Sequence, residues 1–401
     1  MSVINFYLSC MFDAKDIERF REETDGVKEV IHLNNAGSAL PPNVVRDAVV
    51  YYTAEEATFG GYETHSRYFE EIESTYDVIA QLINASREEI ALVENATVAW
   101  NGAFQAIDWQ DGDEIITNQS DYASNYISYL HHPRDLNIKV IPNLPNGDPD
   151  LVALDKLFTD KTKLVSITHM PTNGGLVTPV EAIGKIARKH NVLYLLDACQ
   201  SAGQYPLDVE VIGCDMLSVT GRKYMRAPRG TGFLYVRKSV LPKLRPFYVD
   251  LHSANWTGKD TYEIRSDARK FENWEGNRAA TLGLKVACDY INEIGIENIW
   301  ERVQQLGGYL RNALSTVDGV QVHDIGSIKS GIVSFTVEGH TANEVKEYLL
   351  ERKINVSWNG VPNTYLDMTA RGLNEIIRAS VHYYNTEKEI DVFIKALVQL
   401  K

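Results

Sequence analysis

From residue 90 to residue 236 the chain alternates short apolar runs with helical periods, and that rhythm limits its fold more than any other feature. Strands are predicted at IALV (90–93), DEIITN (113–118), IKVIP (138–142), KLVSIT (163–168), NVLYLLD (191–197), DMLSVT (215–220) and TGFLYV (231–236). Helical patterns such as TVAWNGAFQAI and PVEAIGKIARKH lie between several of them. This is the pattern of an α/β domain with a mostly parallel central sheet. Beyond it the pattern changes. A helical segment over about 279–315 leads to short strands near 332–337 and 376–380, separated by TANEVKEYLLER and closed by TEKEIDVFIKALVQL. Residues 25–278 are expected to form the large α/β domain, and residues 1–24 with 279–401 a smaller α+β domain.

Charge narrows the class of ligand. Acids exceed bases 54 to 40, a net charge of −14, whereas a nucleic-acid binder needs a basic face, so no nucleic-acid partner is expected. No apolar stretch reaches the roughly 18 residues of a membrane span, and MSVINFYLSCMFDAKD lacks a cationic leader region and a small-residue cleavage site. A cytoplasmic protein without a membrane partner is expected. Cys10, Cys199, Cys214 and Cys288 show no CxxC spacing, so neither a disulfide framework nor a metal site is expected.

Ligands of open α/β sheets gather at the carboxyl ends of strands. One predicted strand ends in Asp197, another just before Lys223, and a third leads into Asn95, Ala96 and Thr97 at a helix start. The turn in SVTGRKYMRAPRGTGFLYV also carries Arg222, Arg226 and Arg229, a local cation cluster aimed at a small anion. Asp197 and Lys223 by themselves read equally well as a structural ion pair. The whole constellation reads differently. Pyridoxal phosphate chemistry needs a lysine for a Schiff base, a carboxylate to keep the pyridine nitrogen protonated, and a phosphate cup. Lys223 and Asp197 would supply the first two. Ala96 and Thr97 at a helix N-terminus, with Thr220 and Arg222, would supply the cup.

The sequence resembles the class V aminotransferase family, the cysteine desulfurase-like branch of fold-type I pyridoxal phosphate enzymes. The resemblance rests on HLNNAG (32–37), NATVA, SDYASN (120–125), SITHMPTNGG, LLDACQSAGQYPLD, TGRK and RASVHYYNT (378–386). It implies a large domain with a mostly parallel seven-stranded sheet and a smaller C-terminal domain, with pyridoxal 5′-phosphate as cofactor. Gln200, three residues after Asp197, corresponds to a glutamine on the cofactor's phenolic oxygen, the lesser reading being a cap on the next helix. Tyr122 stands where desulfurases stack a histidine on the ring, and its high reference pKa makes it a poorer proton shuttle. His169 opens HMPTNGG, in which Thr172 or Asn173 would approach the phenolic oxygen; the competing reading of His169 is a core residue. Asn277 corresponds to a residue that reaches a neighbouring subunit's phosphate, with Trp274 bordering the same pocket, and either could instead simply pack. Arg378 would grip the substrate carboxylate, and Asn35 in HLNNAG would lie at the substrate. A homodimer acting on an amino acid is implied.

One departure bears on the reaction. Desulfurases carry a nucleophilic cysteine about 15 residues before the carboxylate arginine, yet WNGVPNTYLDMTARG (358–372) has none. The variants of SDYASN, HMPTNGG and FENWEGN resemble C–S lyases and isopenicillin N epimerase-like proteins, which implies β-elimination from a cysteine conjugate or its sulfoxide. Epimerisation and transamination stay open, as does a catalytically silent protein of the same fold.

Overall fold

The structure, a computed structural model, describes residues 12–400; Cys10 and the first eleven residues of the expected small domain lie outside the described residues. All seven predicted strands form one sheet, in the order Ile90–Val93, Gly232–Val236, Met216–Thr220, Leu193–Asp197, Thr162–Thr168, Glu114–Asn118, Asn137–Ile141. The last five run parallel, and Gly232–Val236 is antiparallel to both its neighbours. Side chains alternate between faces along a strand. Ile116, Val165 and Leu196 thus enter one apolar core while their predecessors Ile115, Leu164 and Leu195 enter the other. Both faces are covered, which is why these strands read as unbroken apolar runs.

The C-terminal part is a four-stranded antiparallel sheet, ordered Val320–Val322, Ile332–Val337, Glu375–Ser380, Ser357–Gly360. Its core joins Phe335 and Ile377 to Leu310 and Phe393 of the flanking helices. Capping boxes start two of these helices, Thr341 with Glu344 and Thr386 with Glu389. The predicted helix over 279–315 is two helices, Arg278–Ile294 and Ile296–Leu314, divided at Gly295, whose φ of 88° suits glycine. The first places Leu284, Ala287, Cys288 and Ile291 in the core of the large sheet. Ile299 and Val303 of the second helix enter the same core. In helix Ala14–Glu22, capped by Asp13, Phe20 meets the Tyr383 ring edge-on at 5.1 Å and Arg21 pairs with Glu389 at 2.9 Å. Among the described residues no helix is long and apolar enough to cross a membrane.

Candidate active site

A cavity of about 140 Å³ opens at the carboxyl ends of the parallel strands. Strand Leu193–Asp197 delivers the Asp197 carboxylate, whose Oδ1 accepts the Cys199 N–H at 3.0 Å and whose Oδ2 accepts Asn125 Nδ2 at 3.0 Å. Opposite, the turn between Met216–Thr220 and Gly232–Val236 brings Thr220, Arg222 and Lys223 to the wall. Helix Ala96–Gln105 points its N-terminus at the same space. Asn95 caps that helix by accepting the Val98 N–H at 3.0 Å, which leaves the Ala96 and Thr97 N–H groups without intrahelical partners. Tyr122, Thr172 and Gln200 complete the predicted residues that line the cavity.

The cation cluster of the turn divides in two. Lys223 Nζ lies 6.0 Å from the centre of the Tyr122 ring, and no hydrogen bond or ion pair reaches it among the described residues. Burial lowers its proton affinity, helped by Arg222 and Arg378 and opposed by Cys199 and Asp197. A lysine so placed more readily becomes the neutral amine that nucleophilic work requires. Arg222 donates to the Gly37 carbonyl beside the cavity. Arg226 and Arg229 do not join them: Arg226 is buried elsewhere and Arg229 is exposed. The expectation that all these cations address one small anion is corrected accordingly. Arg226 itself adopts a positive φ of 60°.

Arg378 reaches the site from the small sheet. Its Nη1 donates to the Thr172 hydroxyl at 2.5 Å and carbonyl at 3.2 Å, its Nη2 lies 3.4 Å from Asn34 Oδ1, and its buried Nε has no partner. No carboxylate pairs with it among the described residues. Burial pulls it down to about 10, so it is charged at neutral pH. An unpaired, buried guanidinium is costly unless an anion arrives.

Other predicted residues fall outside the cavity wall. Asn35 is fully buried, and its amide is spent on Ser380 O (2.8 Å), His32 O (3.2 Å) and the Tyr384 hydroxyl, so it is placed to join the units rather than to meet a substrate. Asn173 is held by Thr364 (3.0 Å) and Asn359 (2.9 Å) of the small unit. His169 lies in the core with both ring nitrogens unpartnered, edge-on to Tyr205, and burial lowers it to about 3. Its side chain is placed as the competing core reading had it. Asn277 caps helix Arg278–Ile294 by accepting the Ala280 N–H at 2.9 Å, and Trp274 is exposed; both belong to a different face. Four lining residues had not been singled out: Ser124, Asn125, Thr168 and Met170. Asn125 could have been found as the residue one helical turn after Asp121, and Thr168 as another strand end.

These residues fit pyridoxal phosphate. Gln200 donates Nε2 to the Ala36 carbonyl at 3.1 Å, but its buried Oε1 has no partner, like Arg378 Nε. A lysine without a side-chain partner among the described residues, a carboxylate, free helix N–H groups and the orphaned Gln200 Oε1 around one cavity, with the orphaned Arg378 Nε behind its Thr172 wall, match the donor set the cofactor needs. Asp197 would hold the ring nitrogen, Lys223 the carbonyl carbon, and Ala96, Thr97, Thr220 and Arg222 the phosphate.

Comparison with known proteins agrees. The sequence model of the family "Aminotransferase class-V" matches residues 30–393. A "Probable cysteine desulfurase" of Xylella fastidiosa is 30% identical over 93% of this chain and 91% of its own length; one of Borreliella burgdorferi is 31% identical over 96% and 95%. The apo structure of a cysteine desulfurase from Thermococcus onnurineus superposes with a TM-score of 0.89 at 25% identity, covering 98% of this chain and 99% of that one. The cystine C–S lyase C-DES shares the fold, with a TM-score of 0.84 at 23% identity, over 94% and 99%. The chain thus belongs to the aminotransferase class-V family, and it is a pyridoxal 5′-phosphate-dependent enzyme.

Proposed function

We propose that this enzyme is a C–S lyase that eliminates a sulfur leaving group from a cysteine conjugate or its sulfoxide, giving pyruvate and ammonia. The observation that carries this reading is that, among the described residues, the loop segment before Arg378 holds no cysteine and the cysteine that lines the cavity, Cys199, is buried. Segment 358–372 contains none, and Asn359 and Thr364 tie it to Asn173. Cys199, Cys214 and Cys288 are buried, and burial pushes all three thiols up, away from the thiolate a sulfur acceptor needs. A second reading, transfer of sulfur to a protein cysteine, is favoured by the names of the relatives. Epimerisation and transamination remain alternatives, since each also begins at Cα.

When bound, pyridoxal phosphate supplies the electron sink that lets the Cα proton and then a β substituent leave. Arg378 binds the substrate carboxylate through its unpartnered Nε, beside Nη2, whose other contact is the long one to Asn34 Oδ1. Lys223, as the neutral amine, takes the proton from Cα. Asp197 holds the ring nitrogen's proton. Tyr122, which lines the cavity, would lie against the ring. Thr172, already bound to Arg378, orients the guanidinium.

The active unit is read as a homodimer, with Asn277 and Trp274 at the neighbouring subunit. Phe247, Leu251 and Trp256, between 76% and 79% exposed, lie in the stretch leading to these two residues and support that reading. A fully active monomer in light scattering would contradict it. The compartment is read as cytoplasmic. The reaction is tested by incubating the holoenzyme with cysteine conjugates, their sulfoxides and ordinary amino acids while following pyruvate, sulfide and chirality. Pyruvate without persulfide is expected, and turnover should survive Cys10→Ala. Protein-bound persulfide that disappears with one cysteine would overturn the lyase reading.

A further inference from the structure

Five donors converge on a buried carboxylate to which nothing above assigns a task. Asp121 Oδ1 accepts from the Tyr122 N–H (2.8 Å), Thr168 Oγ1 (2.8 Å) and Asn125 Nδ2 (3.2 Å). Its Oδ2 accepts from Thr117 Oγ1 (2.8 Å) and the Tyr129 hydroxyl (3.0 Å). The amide N–H groups can only donate, and an ionised carboxylate only accepts, so this shell suits the charged form. Burial opposes it, raising the group to about 6, still ionised at neutral pH. No cation pairs with it among the described residues. A buried, unpaired charge is costly to the fold.

Asn125 connects this charge to the cavity. Its Nδ2 donates one hydrogen to Asp121 Oδ1 and the other to Asp197 Oδ2, at 3.2 and 3.0 Å. Flipping the amide would turn its oxygen towards two carboxylates, so the orientation is fixed by both. Asp197 is in turn held at Oδ2 by Asn125 and at Oδ1 by the Cys199 N–H. The other titratable or charged groups lining this cavity are the Cys199 thiol, the Tyr122 phenol and the cations Lys223 and Arg222; behind its wall stand the Tyr129 phenol, on Asp121, and Arg378, on Thr172.

We propose that Asp121 is a positioning residue for the carboxylate that meets the cofactor's ring nitrogen: through Asn125 it fixes the Asp197 rotamer and places a second negative charge behind it. The inference rests on assigning Asp197 to that nitrogen. Two carboxylates bridged by one amide strengthen the negative potential at this end of the cavity, and so hold protons on nearby cationic nitrogens to higher pH.

The test compares Asp121→Asn, Asn125→Ala and, as reference, Asp197→Asn by two readouts besides turnover. One is the dissociation constant of pyridoxal phosphate from the apoprotein; the other is the pH midpoint of the holoenzyme's visible absorbance change. Removing a partner one layer behind a ligand typically costs 10–100-fold in affinity at metal sites. By that analogy, Asp121→Asn and Asn125→Ala should each weaken cofactor binding about tenfold. Asp121→Asn, which removes a negative charge, should move the midpoint to lower pH, in the direction of Asp197→Asn but by less, and Asn125→Ala should move it from the wild-type value by uncoupling the two carboxylates. Wild-type values in Asn125→Ala, with both readouts changed in Asp197→Asn, would overturn the inference while leaving the Asp197 assignment intact. Wild-type values in Asp197→Asn would overturn the assignment itself. Should Asp121→Asn fail to fold, Asn125→Ala decides the matter.

Discussion

Lys223 and Arg226 stand three residues apart in one turn, yet the two faces of that turn are built to opposite rules. On the cavity face, the Lys223 side chain has no hydrogen bond among the described residues and its Nζ lies 6.0 Å from the centre of the Tyr122 ring, while Arg378 beyond it keeps an unpartnered, buried Nε. On the rear face Arg226 is satisfied. Its guanidinium donates to Leu40 O (2.7 Å), Thr24 Oγ1 (2.6 Å) and the Tyr383 hydroxyl (2.5 Å), and lies 4.4 Å from the centre of the Tyr384 ring. Neither arginine has a carboxylate partner among the described residues. What separates a structural cation from a functional one here is therefore not burial or charge but whether its donors are already spent.

That contrast can be broken most sharply at Lys223. Lys223→Ala should lower kcat by about 10²–10⁴-fold, the range of a lost proton-transfer group, while thermal unfolding stays near wild type because no hydrogen bond is lost. Next is Arg378→Ala, for which kcat/KM should fall by about one to four powers of ten without loss of stability. Arg378→Lys should recover only part, since an ammonium cannot reproduce the planar fork. Arg226→Ala should do the reverse: about 2–3 kcal/mol of stability lost in urea unfolding as Thr24, Tyr383 and the Leu40 carbonyl lose their partner, with kcat/KM of the folded enzyme near wild type. A stable but inactive Arg226→Ala protein would erase the distinction between the two faces.

The smallest effect concerns Asp121. Its folded-state pKa, about 6, lies above the ordinary carboxylate value, so the fold binds more protons than the unfolded chain between about pH 4 and 6. Stability from this group is therefore greatest at the acid end and declines as pH rises through that window. The stability of wild type relative to Asp121→Asn should narrow from about pH 4 to 6 and then level off. A difference that widens over the same window would show that the five donors outweigh burial.

The same contrast explains how far the sequence could be read. The seven strands of the large sheet were legible because burial on both faces makes them apolar throughout, and two of their ends carry Asp197 and Lys223. Edge strands Val320–Val322 and Ser357–Gly360 were not; sequences such as VQV and SWNG face solvent and carry little apolar signal. The helices of residues 35–83 and the hairpin Ala254–Gly258 with Thr261–Ile264 also went unseen. Within the site, residue type could mark Arg222, Lys223 and Arg226 alike as cations. It could not say which side of the turn each would face, because that follows from rings supplied by Tyr383 and Tyr384, more than 150 positions away. The placement of Asn35 was hidden for the same reason: its partners Ser380 and Tyr384 come from the far end of the chain.

The most direct test of the account is to reduce the holoenzyme with borohydride, digest it, and locate the cofactor by mass spectrometry. The account predicts a yellow protein that yields one modified peptide carrying pyridoxal phosphate on Lys223, with no modified peptide from Lys223→Ala. Label on another lysine, or on none, would contradict it.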